Sequence, residues 1–205
     1  MDAIVAVYAD WGIGAKGTQP LVIPADRRRF RELTMGAAVI VGRRTLEDFP
    51  GGKPLPGREN FVLSRRNITI EGAQVVHSPD EAVAAAAQHA RCFVIGGDSV
   101  FRQMFPHMTR VYVTKIDAAP HSDVFFPDLD ADPAWHCVSA EPRAEHDGVG
   151  YQFCVYEKIE AKRSAAFRSR KAADLFCAHP ASTASESALM HMWKNTGGQI
   201  ERVCS

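Results

Sequence analysis

The sequence predicts an α/β protein with a mostly parallel β-sheet and helices on both of its faces. Two near-continuous apolar runs, AAVIVG (37–42) and CFVIGG (92–97), are typical of strands that are covered on both sides. Helical segments alternate with such runs, which is the pattern of parallel strands joined by crossover helices. The run YQFCVYEKI (151–159) alternates more and follows the turn signal HDGVG (146–150), so we expect an antiparallel strand at an edge.

The individual elements follow from short apolar runs rich in β-branched residues and from the helix signals between them. Two helices are predicted, PADRRRFRELT (24–34) and SPDEAVAAAAQHA (78–90), and a short third one begins within Phe101–Phe105. The second helix opens with Ser78-Pro79-Asp80-Glu81, a favourable N-terminus. The predicted strands are 3–9, 37–42, 60–64, 73–78, 92–97, 110–116 and 151–159.

The chain divides near residue 160. Its 205 residues suffice for one sizeable domain and hardly for two. Residues 1–159 carry the alternating pattern, whereas residues 160–205 are rich in Ala, Ser and basic residues and lack a strong period. We therefore predict one domain over 1–159 and an appended tail over 160–205, with one helix at 161–178 followed by a poorly ordered end.

Composition argues against several classes of function. The formal net charge is zero, so no global field points to nucleic acid or to a membrane surface. No run approaches the ~20 apolar residues of a membrane span, and the N-terminus lacks the basic start of a signal peptide. Five scattered cysteines without C-x-x-C spacing, and histidines without a ligand pattern, predict free thiols in a reducing cytoplasm and no metal site.

Basic and glycine-rich segments follow three of the predicted strands. They are Gly42-Arg43-Arg44-Thr45, Ser64-Arg65-Arg66 and Gly97-Asp98-Ser99. Ligands of open parallel sheets bind beyond the carboxyl ends of the strands, and such segments suit phosphates. Together they predict a large anionic ligand, such as a dinucleotide with an extra phosphate. The loop DWGIGAKGTQP (10–20) has three glycines and is predicted to be a mobile flap.

Asp26 allows two interpretations. A carboxylate in the first turn of a helix is normally a cap. Helical spacing, however, places Asp26 and Phe30 on one face, and an acid beside a ring suits a flat heterocycle with amidine-like N–H groups.

Seven motifs in order resemble those of the dihydrofolate reductase family, from residue 2 to about residue 159. They are AVYADWGIGAKGTQP, IPADRRRFRELT, VIVGRRTLEDFP, PLPGRENFVLS, VIGGDSVF, VYVTKID and SDVFFPD. The resemblance implies an eight-stranded, mostly parallel sheet with an antiparallel edge strand. It also implies NADPH-dependent hydride transfer from C4 of the nicotinamide to C6 of 7,8-dihydrofolate. Asp26 would raise the basicity of the pterin electrostatically while water delivers the proton to N5.

The resemblance assigns residues to both ligands. Asp26 would bind the pterin, supported by Thr114, and Arg58 would grip the glutamate α-carboxylate of the substrate. The substrate side comprises Ile4, Val5, Asp26, Arg27, Phe30, Leu55, Arg58, Ile95 and Thr114. The cofactor side comprises Ala6, Ile13, Gly14, Gly42, Arg43, Arg44, Thr45, Leu63, Ser64, Arg65, Gly96, Gly97, Ser99, Val100 and Phe101. Within this set, Ser64 and Arg65 would contact the 2′-phosphate, and Gly96-Gly97 would carry a cis peptide.

Three positions depart from the family pattern. Leu21 replaces a tryptophan that helps to order a water at the catalytic centre, Phe101 replaces a tyrosine, and Arg27 replaces an apolar residue. Arg27 either reaches the glutamate tail of the substrate or points to solvent, and we favour solvent. These changes suggest altered kinetics or inhibitor response rather than lost activity.

Two alternatives remain open beside a monomeric, cytoplasmic folate enzyme that binds antifolates such as trimethoprim or methotrexate. Reductases of riboflavin precursors share the fold but typically lack the Asp/Phe helix and the PLPGR motif, both of which are present here. A non-catalytic protein on the same scaffold is disfavoured because Asp26 and the VGRRT arginines are retained.

The tail over 160–205 allows two interpretations. It could bind an acidic partner, or it could be a solvated surplus segment without a function of its own, and we favour the solvated surplus.

Overall fold

The computed structural model describes residues 1–15 and 19–159, in which a twisted sheet forms the centre. Its strands are β1 (Asp2–Val7), β2 (Gly12–Gly14), β3 (Ala38–Gly42), β4 (Glu59–Leu63), β5 (Gln74–Val76), β6 (Cys92–Gly96), β7 (Arg110–Ile116), β8 (Val124–Phe125), β9 (Trp135–Ala140), β10 (Ala144–His146) and β11 (Val149–Lys158). Its α-helices are α1 (Pro24–Thr34), α2 (Arg43–Glu47), α3 (Pro79–Ala86) and α4 (Asp98–Met104). Short 3₁₀ turns lie at Pro50–Gly52 and Phe105–His107.

The predicted sheet is confirmed. Eight strands lie side by side in the order β10-β11-β7-β1-β6-β3-β4-β5. Within this order, every neighbouring pair in the part β7-β1-β6-β3-β4-β5 is parallel. Strand β11 pairs antiparallel with β7, as its alternating sequence predicts. The edge beyond β11 is more elaborate than expected, because both β9 and β10 pair with β11. A separate two-stranded sheet joins β2 to β8.

Alternating side chains of the central strands supply two apolar layers. On β1, Ala3, Val5 and Val7 belong to one core cluster, and Ile4 belongs to another. Helices α3 and α4 cover the first face, through residues such as Ala82 and Met104. Helices α1 and α2 cover the opposite face. Since both faces are buried, the central strands are the near-continuous apolar runs that the sequence shows.

Helix α1 has the predicted bounds, but α3 is shorter than predicted. It ends at Ala86 rather than at residue 90, because the N–H groups of Gln88 and His89 bond to the carbonyls three residues earlier. This tighter turn leads the chain towards β6. The predicted helix at 161–178 and the rest of the tail lie outside the described residues. Among the described residues, no helix is long and apolar enough to cross a membrane.

Candidate active site

A cleft of about 400 Å³ opens at the carboxyl ends of the central strands. Its size is in the range of small-molecule sites, and its place is the one that the parallel sheet predicts. Twelve of the residues that the family resemblance assigns to the two ligands line it. They are Ile4, Val5, Ala6, Ile13, Gly14, Asp26, Phe30, Arg44, Thr45, Ile95, Gly97 and Phe101.

Asp26 is a partly buried acid in this cleft. Thr114 Oγ1 donates a hydrogen bond of 2.6 Å to Asp26 Oδ1. Burial raises the pKa of Asp26 above its ordinary value, while the Thr114 hydrogen bond and the charges of Arg27 and Arg29 oppose the rise. Such a carboxyl exchanges its proton closer to neutral pH than an exposed one, which suits it to acid–base work on a ligand.

The geometry at the start of α1 removes the capping interpretation of Asp26. The N-cap is Ile23, and no side chain caps the helix there. Pro24 at the first helical position has no N–H that would need an acceptor. The carboxylate of Asp26 instead accepts a hydrogen bond from Thr114 of β7, outside its own helix. Asp26 is therefore partly buried as a residue of the cleft wall and not as a helix cap.

Asp26 and Phe30 line the same wall of the cleft, one helical turn apart, as their spacing predicts. Phe30 packs in the apolar cluster that contains Ile4 of β1 and Ile95 of β6. The wall thus offers an ionisable group next to flat and branched apolar surface. That combination fits a planar heterocycle with N–H donors at one edge.

The opposite part of the cleft combines basic, hydroxyl and glycine residues. Arg44 and Thr45 at the start of α2 line it beside Gly97. The Gly96–Gly97 peptide bond is cis, as the resemblance implies. A Cβ atom at Gly97 would lie 2.6 Å from Thr45 Oγ1, so these two strand ends approach closely because position 97 has no side chain. Guanidinium, hydroxyl and accessible backbone groups suit a phosphorylated ligand.

Other predicted cofactor residues lie outside the lining of the cleft. Ser64 is buried and its Oγ accepts the N–H of Arg66 at 3.2 Å, while Arg65 is exposed. Arg43 forms an ion pair with Glu47 on α2. The remaining ones are Gly42, Leu63, Gly96, Ser99 and Val100, which lie at the ends of β3, β4 and β6 and the start of α4. Their roles in cofactor binding stay predictions.

Arg58 is held in place by acceptors of the α1 segment and its own loop. Its Nε and Nη2 each donate to Thr34 Oγ1 at 3.1 Å, and its Nη1 donates to the carbonyl of Pro56 at 2.7 Å. The loop before it is fixed by Asn60, which exchanges two hydrogen bonds of 2.9 Å with the backbone of Leu55. Neither Arg58 nor Leu55 lines the cleft as bounded above, so their contact with a substrate stays a prediction.

The three departures take different positions. Leu21 does not line the cleft; its N–H donates to the Tyr8 hydroxyl at 3.4 Å, and its side chain packs beside Tyr8 and Ile23. Arg27 is exposed, which agrees with the solvent-facing alternative. Phe101 is buried, lines the cleft and meets Phe126 edge to face. Residue 101 therefore contributes an aromatic ring to the cleft, but no hydroxyl.

Five residues that line the cleft were not predicted from the sequence: Ala15, Gln19, Asp48, Phe49 and Val124. Asp98 also lines the cleft, within the segment Gly97-Asp98-Ser99 that the sequence predicts for an anionic ligand. Phe49 follows the VGRRT segment at a distance that no local pattern links to a ligand. Val124 reaches the cleft through β8, whose pairing with β2 has no sequence signal.

The fold and the cleft together define a class, the α/β enzymes that act on a planar substrate with a phosphorylated cofactor. Comparison with known proteins specifies the member. The family model described as dihydrofolate reductase matches residues 1–158. A dihydrofolate reductase of Bacillus subtilis is 34% identical over 167 residues, which is 80% of this chain and 98% of the relative. That of Mycobacterium leprae is 38% identical over 151 residues, covering 71% and 90% respectively.

A solved structure agrees with these relatives. The dihydrofolate reductase of Enterococcus faecalis, complexed with NADP(H) and RAB-propyl, aligns with a TM-score of 0.70 and 31% identity, over 77% of this chain and 95% of that one. The chain therefore belongs to the dihydrofolate reductase family. It is an NADPH-dependent oxidoreductase that reduces dihydrofolate to tetrahydrofolate, and this family binds antifolate inhibitors.

Proposed function

We propose that Asp26 is the acidic residue through which this chain activates dihydrofolate. The observation that carries the proposal is its partly buried carboxyl in the cleft, hydrogen-bonded to Thr114 and one turn from Phe30. The carboxylate accepts hydrogen bonds from the N–H groups at one edge of the pterin. Phe30, Ile4 and Ile95 pack against the pterin ring. The negative charge of the Asp26 carboxylate, which shares a proton with this edge of the ring, makes the pterin more basic.

The residues on the other side fit the cofactor. NADPH, when bound, supplies the hydride that reduces C6 of the pterin. Arg44 and Thr45 would hold its phosphates, and Gly97 leaves the space that a side chain would fill. Ala6, Ile13 and Gly14 would line the nicotinamide end, where apolar and backbone surface excludes water.

The proton that the pterin receives comes from water, because Asp26 contacts the edge of the ring that lies away from N5. Where family members typically carry a tryptophan, Leu21 packs against Tyr8. An aliphatic side chain offers no N–H to a water molecule. Water delivery here therefore depends on backbone groups and on Asp26 itself.

The experiment that tests the proposal follows the absorbance of NADPH upon addition of dihydrofolate. Asp26→Asn should reduce kcat by about 10²–10⁴-fold, the usual contribution of acid–base groups. Glu32→Gln is the matched control, since it removes an exposed carboxylate from the same helix and should leave turnover unchanged. Full activity in Asp26→Asn would refute the role of Asp26. Absence of turnover in the wild type would favour the pyrimidine reductase or the non-catalytic alternative.

We also propose that the enzyme is a cytoplasmic monomer that acts without nucleic acid or membrane. The described cysteines Cys92, Cys137 and Cys154 are unpaired thiols, which fits a reducing compartment. Within residues 1–15 and 19–159, the large exposed apolar residues lie on four separate segments, at Val22, Met35, Phe125 and Val138. Scattered apolar side chains are normal for a monomer surface. Sedimentation at micromolar concentration should give a single species of monomer mass, and a dimer would contradict this.

A further inference from the structure

Two cysteines meet where β9 pairs with β11. Cys137 of β9 lies opposite Tyr156, and Cys154 lies two residues before Tyr156 on β11, on the same face of that strand. An irregularity in register between Val155 and Tyr156 falls in this part of the ladder. The Cys137 side chain is therefore diagonal to Cys154 across the ladder, close enough to raise the pKa of the Cys154 thiol. Two cysteines on paired strands thus lie on one face of the same ladder.

The two thiols differ in their surroundings. Cys137 is exposed, and its Sγ donates to the carbonyl of Ser139 at 3.3 Å. Cys154 is 4% exposed. Burial, followed by the proximity of Cys137, raises the pKa of Cys154 to about 11, so this thiol is protonated at neutral pH. One sulfur is accessible to a reagent in solution and the other is shielded but adjacent.

We propose that Cys137 and Cys154 form an oxidisable dithiol that hydrogen peroxide converts into a cross-strand disulfide. The Cys137 thiolate attacks one peroxide oxygen, which gives a sulfenic acid and, after proton uptake, one water. The Cys154 sulfur then attacks the Cys137 sulfur, and the hydroxyl of the sulfenic acid leaves with the Cys154 proton as a second water. Both thiols are oxidised together by two electrons, and the peroxide is reduced.

Neither sulfur belongs to the residues that line the cleft, so the proposal does not depend on the catalytic assignments. Cys92 provides an internal comparison. It is buried at the start of β6, and burial raises the pKa of its thiol to about 12. It is paired with no other thiol among the described residues. An accessible thiolate is what peroxide requires, so Cys92 should resist oxidation.

The test uses the full-length protein and peptide mapping. Trypsin cleaves after Lys115, Arg143 and Lys158, so Cys137 and Cys154 fall into separate peptides, 116–143 and 144–158. The protein is treated with peroxide, its remaining thiols are alkylated, and the digest is analysed without reductant. We expect a joined 116–143/144–158 species, lighter than the sum of its parts by two hydrogen atoms, which dithiothreitol separates.

Variants make the assignment specific. Cys137→Ser should abolish the joined species and keep wild-type reductase activity, since its side chain is exposed and remote from the cleft. Cys92→Ser should leave the joined species at the wild-type yield. The inference is overturned if Cys137 joins the peptides of Cys177 or Cys204 instead. It is equally overturned if Cys137 stops at the sulfenic or sulfinic acid while Cys154 stays free for alkylation.

Discussion

Thr114 in β7 and Asp26 in the first turn of α1 are 88 positions apart and share a hydrogen bond of 2.6 Å. Thr114 is 3% exposed, so the bond lies on the buried side of the carboxyl. The hydroxyl donates to the carboxylate and thereby favours the ionised form, against the burial that disfavours it. The balance between these two effects sets the pH at which Asp26 titrates.

The pH dependence of hydride transfer should therefore respond to Thr114. Because burial raises the pKa of Asp26, and the carboxyl and the bound pterin hold one proton between them, we expect the rate of this step to fall as pH rises through the pKa at which this proton is lost. Thr114→Val removes the hydrogen bond that lowers the pKa, so the fall should move to higher pH. Single-turnover measurements between about pH 5 and about pH 9 span this range of carboxyl titration. Thr69→Val, at an exposed position, is the control, and a flat wild-type profile would contradict the role of Asp26.

The same raised pKa predicts that Asp26 lowers the stability of the fold at neutral pH. Between the ordinary carboxyl pKa of 3.8 and the raised value, the folded protein binds more protons than the unfolded chain. Its free energy of unfolding must then decrease as pH rises through this window. Asp26→Asn cannot ionise and should unfold at higher urea concentration at neutral pH, with the advantage lost in acid. Glu32→Gln should show no such gain. An Asp26→Asn variant that is less stable than the wild type at neutral pH would refute the prediction that ionised Asp26 destabilises the fold.

Sequence patterns located the central sheet because its strands are buried on both faces. The bounds of α1 were predictable from Pro24 at its start and from the period of its apolar residues. Strand β9 was missed because four of its six residues are exposed, and an exposed strand shows no apolar run. Strands β2 and β8 are too short to carry a period of two.

Some residues of the site were likewise predictable from local sequence patterns, and others were not. Spacing alone placed Asp26 and Phe30 on one face of α1, and the structure brings both to the cleft. The pairing of Asp26 with Thr114 came from the family resemblance, since no local pattern links a helix to a strand 88 positions away. Gln19 and Phe49 reach the cleft through loops, whose paths depend on tertiary packing rather than on local sequence.

Arg58 should determine the affinity for the carboxylate tail of dihydrofolate. Thr34 and Pro56 fix its guanidinium, and a planar fork held this way matches a carboxylate better than a lysine does. A hydrogen bond to a charged group contributes about 1.5–3 kcal/mol, so Arg58→Lys should raise the KM for dihydrofolate about 10-fold or more. The kcat should change little, because the tail is remote from the reacting carbon.

Two further variants separate positioning from charge. Thr34→Val removes the acceptor of two Arg58 hydrogen bonds and should raise the same KM by a smaller factor. Arg143→Lys, at an exposed arginine near β10, should leave the KM unchanged. If the KM of Arg58→Lys equals that of the wild type, Arg58 does not bind the substrate.

Gly97 should tolerate no side chain. The Cβ of alanine would lie 2.6 Å from Thr45 Oγ1, well inside van der Waals contact. Overpacking of this kind typically costs about 1–3 kcal/mol. Gly97→Ala should therefore lower the free energy of unfolding and the affinity for NADPH, measured by urea titration and by fluorescence. In a Thr45→Ala background the stability loss should shrink, because the clashing atom is gone. An equal loss in both backgrounds would place the strain elsewhere.

We expect the reductase domain to end directly after β11. The N–H groups of Lys158 and Ile159 donate to the carbonyls of Thr109 and Ala134, so the main chain is tied to the domain up to this point. The family model also ends at residue 158. A chain truncated after Ile159 should keep its kcat/KM, with a free energy of unfolding within about 0.5 kcal/mol of the full chain, the range of surface changes.

A second truncation, before β11, provides the contrast. It removes a strand that pairs with β7, β9 and β10, and should abolish folding. Circular dichroism and NADPH oxidation by dihydrofolate distinguish the two chains. If the chain ending at Ile159 loses activity or stability while remaining monomeric, residues 160–205 contribute to the enzyme, and the solvated-surplus hypothesis is wrong. Unchanged behaviour would leave residues 1–159 as the complete reductase domain, since everything that binds and converts the substrate would then lie within them.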